Sequence, residues 1–178
     1  MSKKIRLATA WLDGCSGCHM SLLDMDESIV DLAPKIDLIY SPMVDYKFDE
    51  IPNKIDITLV EGAIGNEHDL KELRTLRSKS KLLIAVGDCA VTGNIPSMRN
   101  YFKSQTVLNR AYVENTDHNP QIPEQNVPKL IEVLPLHHEV NVDLFIQGCP
   151  PPSNIIQYVL TELIGGRIPN LKCKQTFG

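Results

Sequence analysis

The sequence predicts a doubly wound α/β domain: a flavodoxin-like parallel sheet with helices on both faces. Three observations carry that prediction. Short runs rich in Val, Ile and Leu alternate with longer stretches of helical periodicity, the pattern of strands joined by crossover helices. Five such strands can be placed, which suits the flavodoxin-like order. The 178 residues, 43% hydrophobic and 22% charged, are the size and composition of one globular domain spanning residues 1–178, with a core that needs no disulfides.

The elements follow in order. Residues 5–11, Ile-Arg-Leu-Ala-Thr-Ala-Trp, read as the first strand. Residues 21–33 read as a helix, with Leu22, Met25, Ile29 and Leu32 at helical spacing. Ser21 and Asp24 resemble a capping box at its start, and Pro34 supplies its stop. Strands two and three are expected at 37–40 and 55–60, and a charged amphipathic helix at 67–78. Residues 81–86 are apolar enough for a fourth strand buried on both faces. Beyond it regularity weakens: a short helix is expected at 97–103, and 109–128 is polar, carries Pro120, Pro123 and Pro128, and reads as a functional loop. One more short helix is expected within 127–139, a fifth strand at 142–146, and a last helix at 154–164 ended by Gly165 and Gly166.

Composition excludes several function classes. The net charge is −4, from 18 basic and 22 acidic residues, with no basic stripe, so neither nucleic acid nor an anionic membrane is an expected partner. No stretch approaches the ~18 apolar residues of a transmembrane segment, and no signal-length apolar region or twin-arginine pair opens the chain. The cysteine count is five, an odd number that leaves a disulfide framework incomplete. A cytoplasmic or membrane-peripheral protein in a reducing compartment is expected, and there cysteines point to a metal site or redox chemistry.

Cys15 and Cys18 sit in Gly14-Cys15-Ser16-Gly17-Cys18, with Cys89 and Cys149 far downstream. Their spacing says little; their placement on the predicted fold says more. One group follows strand one, one follows strand four and one follows strand five. In an open parallel sheet those carboxyl ends share an edge, where such folds bind ligands. Four thiolates hold either a structural zinc or an iron–sulfur cluster. Zinc ribbons use two close Cys-x-x-Cys pairs, and only one is present. Gly14, Gly17, Gly87 and Gly148 beside the cysteines let backbone N–H groups approach sulfur, which favours the bulkier cluster. Helices starting soon after Cys18 and after Pro150-Pro151-Pro152 favour an anionic group. Buried apolar cysteine is the competing reading; it suits Cys173, in a lysine-flanked tail, and suits the other four poorly. A thioredoxin-like redox pair at Cys15 and Cys18 leaves Cys89 and Cys149 unexplained.

Four segments in order, Trp11-Leu12-Asp13-Gly14-Cys15-Ser16-Gly17-Cys18, Val60-Glu61-Gly62, Gly87-Asp88-Cys89-Ala90 and Gly148-Cys149-Pro150-Pro151, resemble the small subunit of nickel–iron hydrogenases. The resemblance runs over nearly the whole chain. It implies that Cys15, Cys18, Cys89 and Cys149 hold one proximal [4Fe–4S] cluster, and that hydrogen chemistry belongs to a separate large subunit. Uptake-type small subunits add a two-cluster C-terminal domain and an export signal. This sequence, ending at Gly178, resembles instead the cytoplasmic, bidirectional type. That type implies as partners a nickel–iron large subunit and flavin- and iron–sulfur-containing diaphorase subunits that reduce NAD(P). The related subunit of the quinone-reducing complex has adjacent cysteines in place of Cys-x-x-Cys. A stand-alone iron–sulfur carrier, that complex's subunit and a zinc-stabilised binding module are the alternatives.

Residues between the cysteines carry further expectations. Glu61, at the end of strand three, is placed beside the cluster, either to orient a partner, accept N–H groups or pass protons, or simply to serve a helix cap or turn. Asp13 and Asp88 fit turn hydrogen bonding. His19 is either a donor to a cluster sulfur or a solvated or core histidine, the second being favoured. His137 and His138 are expected as a surface pair. FMN is not supported, because the loop after strand one, 9–15, is occupied by cysteine chemistry; no Gly-x-Gly-x-x-Gly marks a dinucleotide site.

Overall fold

The structure, a computed structural model, describes residues 4–44 and 48–177. In chain order its strands are β1 (Ile5–Trp11), β2 (Ile36–Tyr40), β3 (Ile55–Glu61), β4 (Ile64–Asn66), β5 (Ser80–Val86), β6 (Leu130–Leu134) and β7 (Leu144–Ile146). Its helices are α1 (Gly17–Leu23), α2 (Glu27–Leu32), α3 (Glu67–Lys79), α4 (Asp88–Thr92), α5 (Asn94–Ser97), α6 (Ser104–Asn109) and α7 (Ser153–Ile164). Five strands form one parallel sheet in the order β2-β1-β3-β5-β7. Counted among themselves they run 2-1-3-4-5, the flavodoxin-like order that the sequence predicts.

Alternation along the strands builds a core on each face. Ala8, Ala10, Ile55, Val60, Leu83 and Ala85 pack with Leu73 and Leu76 of α3 and Ala90 of α4. Leu7, Ile57, Leu59, Ile84, Val86 and Ile146 pack on the other side with Met25, Leu32 and the α7 residues Ile156, Val159 and Leu160. Successive side chains of a strand point to opposite faces, and a doubly wound sheet buries both. The central strands therefore carry apolar residues on both faces, Leu59 and Val60 in β3 and Leu83 to Val86 in β5.

The register levels the carboxyl ends. Trp11 pairs with Glu61, Glu61 with Val86 and Val86 with Ile146. Four strands thus end in one row, and the segments leaving it emerge side by side.

Local structure departs from the sequence expectation in three places. The helix expected over 21–33 is two helices, α1 and α2, separated by a turn at Asp24–Asp26 in which Asp26 has φ of 48°. Ser21 caps nothing. It lies inside α1 and donates from Oγ to the Pro151 carbonyl at 2.5 Å, a tertiary bond across 130 positions. The helix starts earlier, with Cys18 in its first turn, because Glu61 from β3 accepts the His19 N–H, and Pro34 stands within a 3-10 turn, Ala33–Lys35. The helix expected within 127–139 is instead β6 followed by a 3-10 turn at Leu136–His138. β6 pairs antiparallel with β4, Ile64 opposite Leu134 and Asn66 opposite Leu130. Five residues, Leu-Ile-Glu-Val-Leu, are too few for a decisive periodicity, so the pairing partner chooses their conformation. The short helix expected at 97–103 is instead a 3-10 turn at Met98–Tyr101 between α5 and α6, and α6 runs into a π turn at Arg110–Glu114. No helix of the described residues is long and apolar enough to cross a membrane.

Helix α3 brings a carboxylate into the core. Tyr40 donates to Glu72 Oε1 at 2.8 Å, and both side chains are buried. Burial holds the Glu72 carboxyl above its ordinary value, partly opposed by the Tyr40 bond. Burial, and then the Glu72 charge, pushes the Tyr40 phenol up as well. Folded Glu72 keeps its proton to higher pH than unfolded Glu72, so its contribution to stability falls as pH rises through the carboxylate range. Glu72→Gln retains the acceptor for Tyr40 and removes the charge. Thermal unfolding of the variant should occur at higher temperature than wild type at about pH 8, with the gain vanishing below the carboxylate range, at about pH 3. An equal shift at both pH values would refute this origin.

Candidate metal centre

The row of strand ends delivers the cysteines. Past Trp11 the chain stays against β3: Leu12 N–H donates to the Glu61 carbonyl at 3.0 Å, and Asp13 and Ala63 exchange backbone bonds at 3.0 and 2.7 Å. Trp11 Nε1 donates to the Gly14 carbonyl at 3.3 Å. Cys15 lies in this loop and Cys18 in the first turn of α1. Cys89 is in the first turn of α4, directly after β5. Cys149 follows β7 and leads through a cis peptide into Pro150. All four line one cavity of about 80 Å³, together with Gly14, Gly17, Glu61, Gly62, Asp88, Gly148 and Pro150. Cys173, exposed in the tail, is not part of it.

Close approach at this cavity depends on glycine. Gly87 has φ of 84°, and a Cβ there would meet Cys18 Sγ at 2.2 Å. Gly62, also at φ 84°, would drive a Cβ to 2.8 Å from the Leu12 carbonyl carbon. A side chain at Gly87 would push the β5 loop away from Cys18, and one at Gly62 would push the β3 loop away from the β1 loop.

Asp88 ties two loops together. Its Oδ1 accepts from Gly148 N–H at 2.7 Å, and its own N–H donates to the Gly148 carbonyl at 2.9 Å. The turn aspartate expected from sequence is thus a long-range brace between Cys89 and Cys149. Asp13 lies over Gly65, 3.8 Å from Arg99.

Glu61 is 3% exposed and accepts from the His19 backbone N–H at 2.5 Å. It serves the first turn of α1 in place of a local capping side chain, and it also lines the cavity. His19 is buried: its Nε2 sits 3.0 Å from Thr9 Oγ1, and Thr9 donates to Ser41 Oγ at 2.7 Å. His19 Nδ1 comes within 2.8 Å of Glu61 Oε2 but off the hydrogen-bonding direction, and remains without a hydrogen-bond partner. His19 is therefore a core histidine. His137 and His138 are an exposed pair with ring centroids 5.0 Å apart, outside the site.

Asn94 belongs to this neighbourhood and carries no motif that marks it in the sequence. Its Nδ2 donates to Cys149 Sγ at 3.5 Å. The only signal is the Gly93-Asn94 turn just after the Cys89 helix.

The thiols perturb one another. Burial first, then Glu61 and the other three thiols, drives the Cys18 thiol far above its ordinary range. The Cys89 thiol is pushed up to about 11, by burial first and then by Cys149 and Cys15, with Ile95 N–H and Glu61 acting in opposite directions. Among the described residues no three His, Cys, Asp or Glu side chains close onto a single ion. Four sulfur donors spread around a cavity fit a polynuclear iron–sulfur group, which carries its four Cys ligands apart, better than one tetrahedral zinc.

The fold and this thiol-rimmed edge define a class of sulfur-rich α/β domain, and the sequence comparisons give its family. The chain matches, over residues 15–163, the family described as NADH ubiquinone oxidoreductase, 20 Kd subunit, and it belongs to that family. It is 39% identical over 170 residues to the NAD-reducing hydrogenase HoxS subunit delta of Cupriavidus necator, covering 92% of this chain and 80% of that one. It is also 39% identical over 173 residues to a subunit of the vhu F420-non-reducing hydrogenase of Methanocaldococcus jannaschii, covering 96% of this chain and 59% of that one. The chain therefore spans little more than half the length of such methanogen relatives. A chain of the NAD+-reducing [NiFe]-hydrogenase in the H2-reduced state superposes with a TM-score of 0.89 at 37% identity, covering 94% of this chain and 95% of that one. The [NiFeSe] hydrogenase of Desulfomicrobium baculatum, at 19% identity and TM-score 0.57 over 94% of this chain and 67% of that one, shares the fold. The resemblance to nickel–iron hydrogenase small subunits is borne out.

The metal-free chain offers a direct check of this geometry. Cys15, Cys149 and Cys173 are exposed, whereas Cys18 and Cys89 are half-buried with raised thiols. Timed alkylation at about pH 8, read by peptide mass spectrometry, should label the first three before the other two. Raising the pH should accelerate Cys89 up to about 11. Cys18 labelling as fast as Cys173 would contradict the described site.

Proposed function

We propose that this chain is the electron-relay small subunit of a cytoplasmic, bidirectional, NAD(P)-coupled nickel–iron hydrogenase. In this reading residues 1–178 form one flavodoxin-like domain whose Cys15, Cys18, Cys89 and Cys149 hold a single [4Fe–4S] cluster. The observation that carries it is the convergence of four thiols from three strand ends on one cavity, in a chain similar to the delta subunit of an NAD-reducing hydrogenase. When bound, the cluster supplies one-electron transfer between the nickel–iron site of a large subunit and a diaphorase module.

The chain's own residues do the positioning. Gly87 and Gly62 let the loops close; Asp88 braces the Cys89 and Cys149 loops; Glu61 fastens the start of α1, which carries Cys18. Cys15 and Cys149 are exposed, so the cluster they hold lies within reach of a partner's redox group. Beside Cys89, the segment from α5 onward exposes Ile95, Met98, Tyr101 and Phe102. Exposed apolar side chains gathered near a redox centre suit coverage by another subunit, and the large subunit is the occupant proposed.

Hydrogen chemistry resides elsewhere, so the purified single chain should reduce no dye with hydrogen, while the chain co-purified with a nickel-containing partner should. Cys89→Ser should lower cluster retention about 10-fold or more, measured as iron and acid-labile sulfide per chain, and should stop electron exit from the complex. Cys173→Ser should leave both unchanged. A colourless protein with stoichiometric zinc, or equal behaviour of the two variants, would overturn the assignment.

A further inference from the structure

The turn that follows α4 places an N–H donor against one of the four thiols: Asn94 Nδ2 points to Cys149 Sγ at 3.5 Å. A segment that leaves the Cys89 helix after β5 thus contacts a sulfur presented after β7.

The turn is built to hold that pose. Gly93, at φ 84°, ends α4 with its N–H on the Cys89 carbonyl at 2.9 Å. Asn94 follows with φ of 31°, a conformation Asn tolerates better than most side chains. Its backbone N–H bonds Thr92 Oγ1 at 3.3 Å, and its carbonyl accepts from Ser97 Oγ at 2.7 Å. Both backbone groups being engaged, the half-buried carboxamide is left with Cys149 Sγ as its described hydrogen-bond partner. Glycine in the same turn would keep the positive φ and leave the sulfur without this donor.

Resting on the cluster reading above, we propose that the Asn94 carboxamide forms a donor clamp on Cys149 that raises the reduction potential of the bound cluster, Asn94 acting as a positioning and tuning residue. Reduction adds one electron to the cluster, with no bond made or broken and no proton moved, so the extra negative charge spreads onto the thiolate sulfurs. Hydrogen bonds to sulfur stabilise that reduced state more than the oxidised one. Removing a donor shifts the potential negative; replacing it with a carboxylate shifts it further.

Two variants keep the backbone compatible with positive φ, Asn94→Gly and Asn94→Asp. The measurement is an EPR-monitored redox titration of the anaerobically purified complex, with dithionite and mediator dyes supplying the electrons, alongside iron and sulfide content. Both variants should retain wild-type iron and sulfide, with midpoint potentials in the order wild type, then Gly, then Asp as the most negative. Loaded variants that titrate at the wild-type potential would overturn the clamp while leaving the cluster reading intact. A wild-type chain without iron and sulfide would overturn the cluster reading itself. Variants that lose the cluster, with potentials unmeasurable, would make Asn94 a retention residue and also overturn the tuning role.

Discussion

The level register of the parallel sheet is the constraint on which the rest of this molecule depends. Trp11, Glu61, Val86 and Ile146 stand in one hydrogen-bonded row. A parallel ladder sends every strand in the same direction, so the loops after β1, β5 and β7 leave from one edge. Cys15, Cys18, Cys89 and Cys149 are separated by up to 134 positions in the chain, yet they need no further device to meet. Sliding β7 along β5 by one residue would turn Ile146 away from the core and carry the Cys149 loop with it. The same apolar packing that stabilises the fold therefore aligns the site.

Around that edge, polar groups are buried only where they hold loops. Asp88 spans from α4 to Gly148, Ser21 from α1 to Pro151, and Glu61 from β3 to the first turn of α1. The first two bonds join segments carrying different cysteines and the third fixes the helix start that carries Cys18, so the site is braced by side chains that are not themselves sulfur donors. Buried polar groups are costly when unpaired, and apart from His19 Nδ1 the buried side-chain nitrogens and oxygens among the described residues have partners. Crowded thiols, pushed away from ionisation by burial and by each other, are the counterpart of this arrangement. A cationic group held among them relieves the repulsion, because metal binding takes the place of the thiol protons.

Much of the architecture was legible in the sequence because both sheet faces are buried. The runs at 55–60 and 81–86 are mostly apolar on both faces, and α3 carries its own start signal in Asn66, whose side chain accepts from the N–H groups of His68 and Asp69. The first helix was misplaced for a physical reason. Its start depends on Glu61, 42 positions away, and a local capping pattern at Ser21 and Asp24 was available to mislead. Residues 130–134 were misassigned because their conformation is decided by pairing with β4, which sequence periodicity does not record. The four cysteines were legible, since glycine and proline beside them marked loops at strand ends. Asn94 was not, because its role comes from lying 3.5 Å from a sulfur 55 positions downstream.

Amino-acid order alone determined the strand and helix alternation, the parallel sheet, and the division of the cysteines into four at strand ends and one in the tail. These follow from local propensity and apolar patterning, which act over a few residues. Tertiary structure decided which oxygen serves the first turn of α1, which aspartate braces two loops, and which amide faces Cys149. Hydrogen bonds between distant segments depend on distances of a few tenths of an ångström, and only the packed sheet sets those.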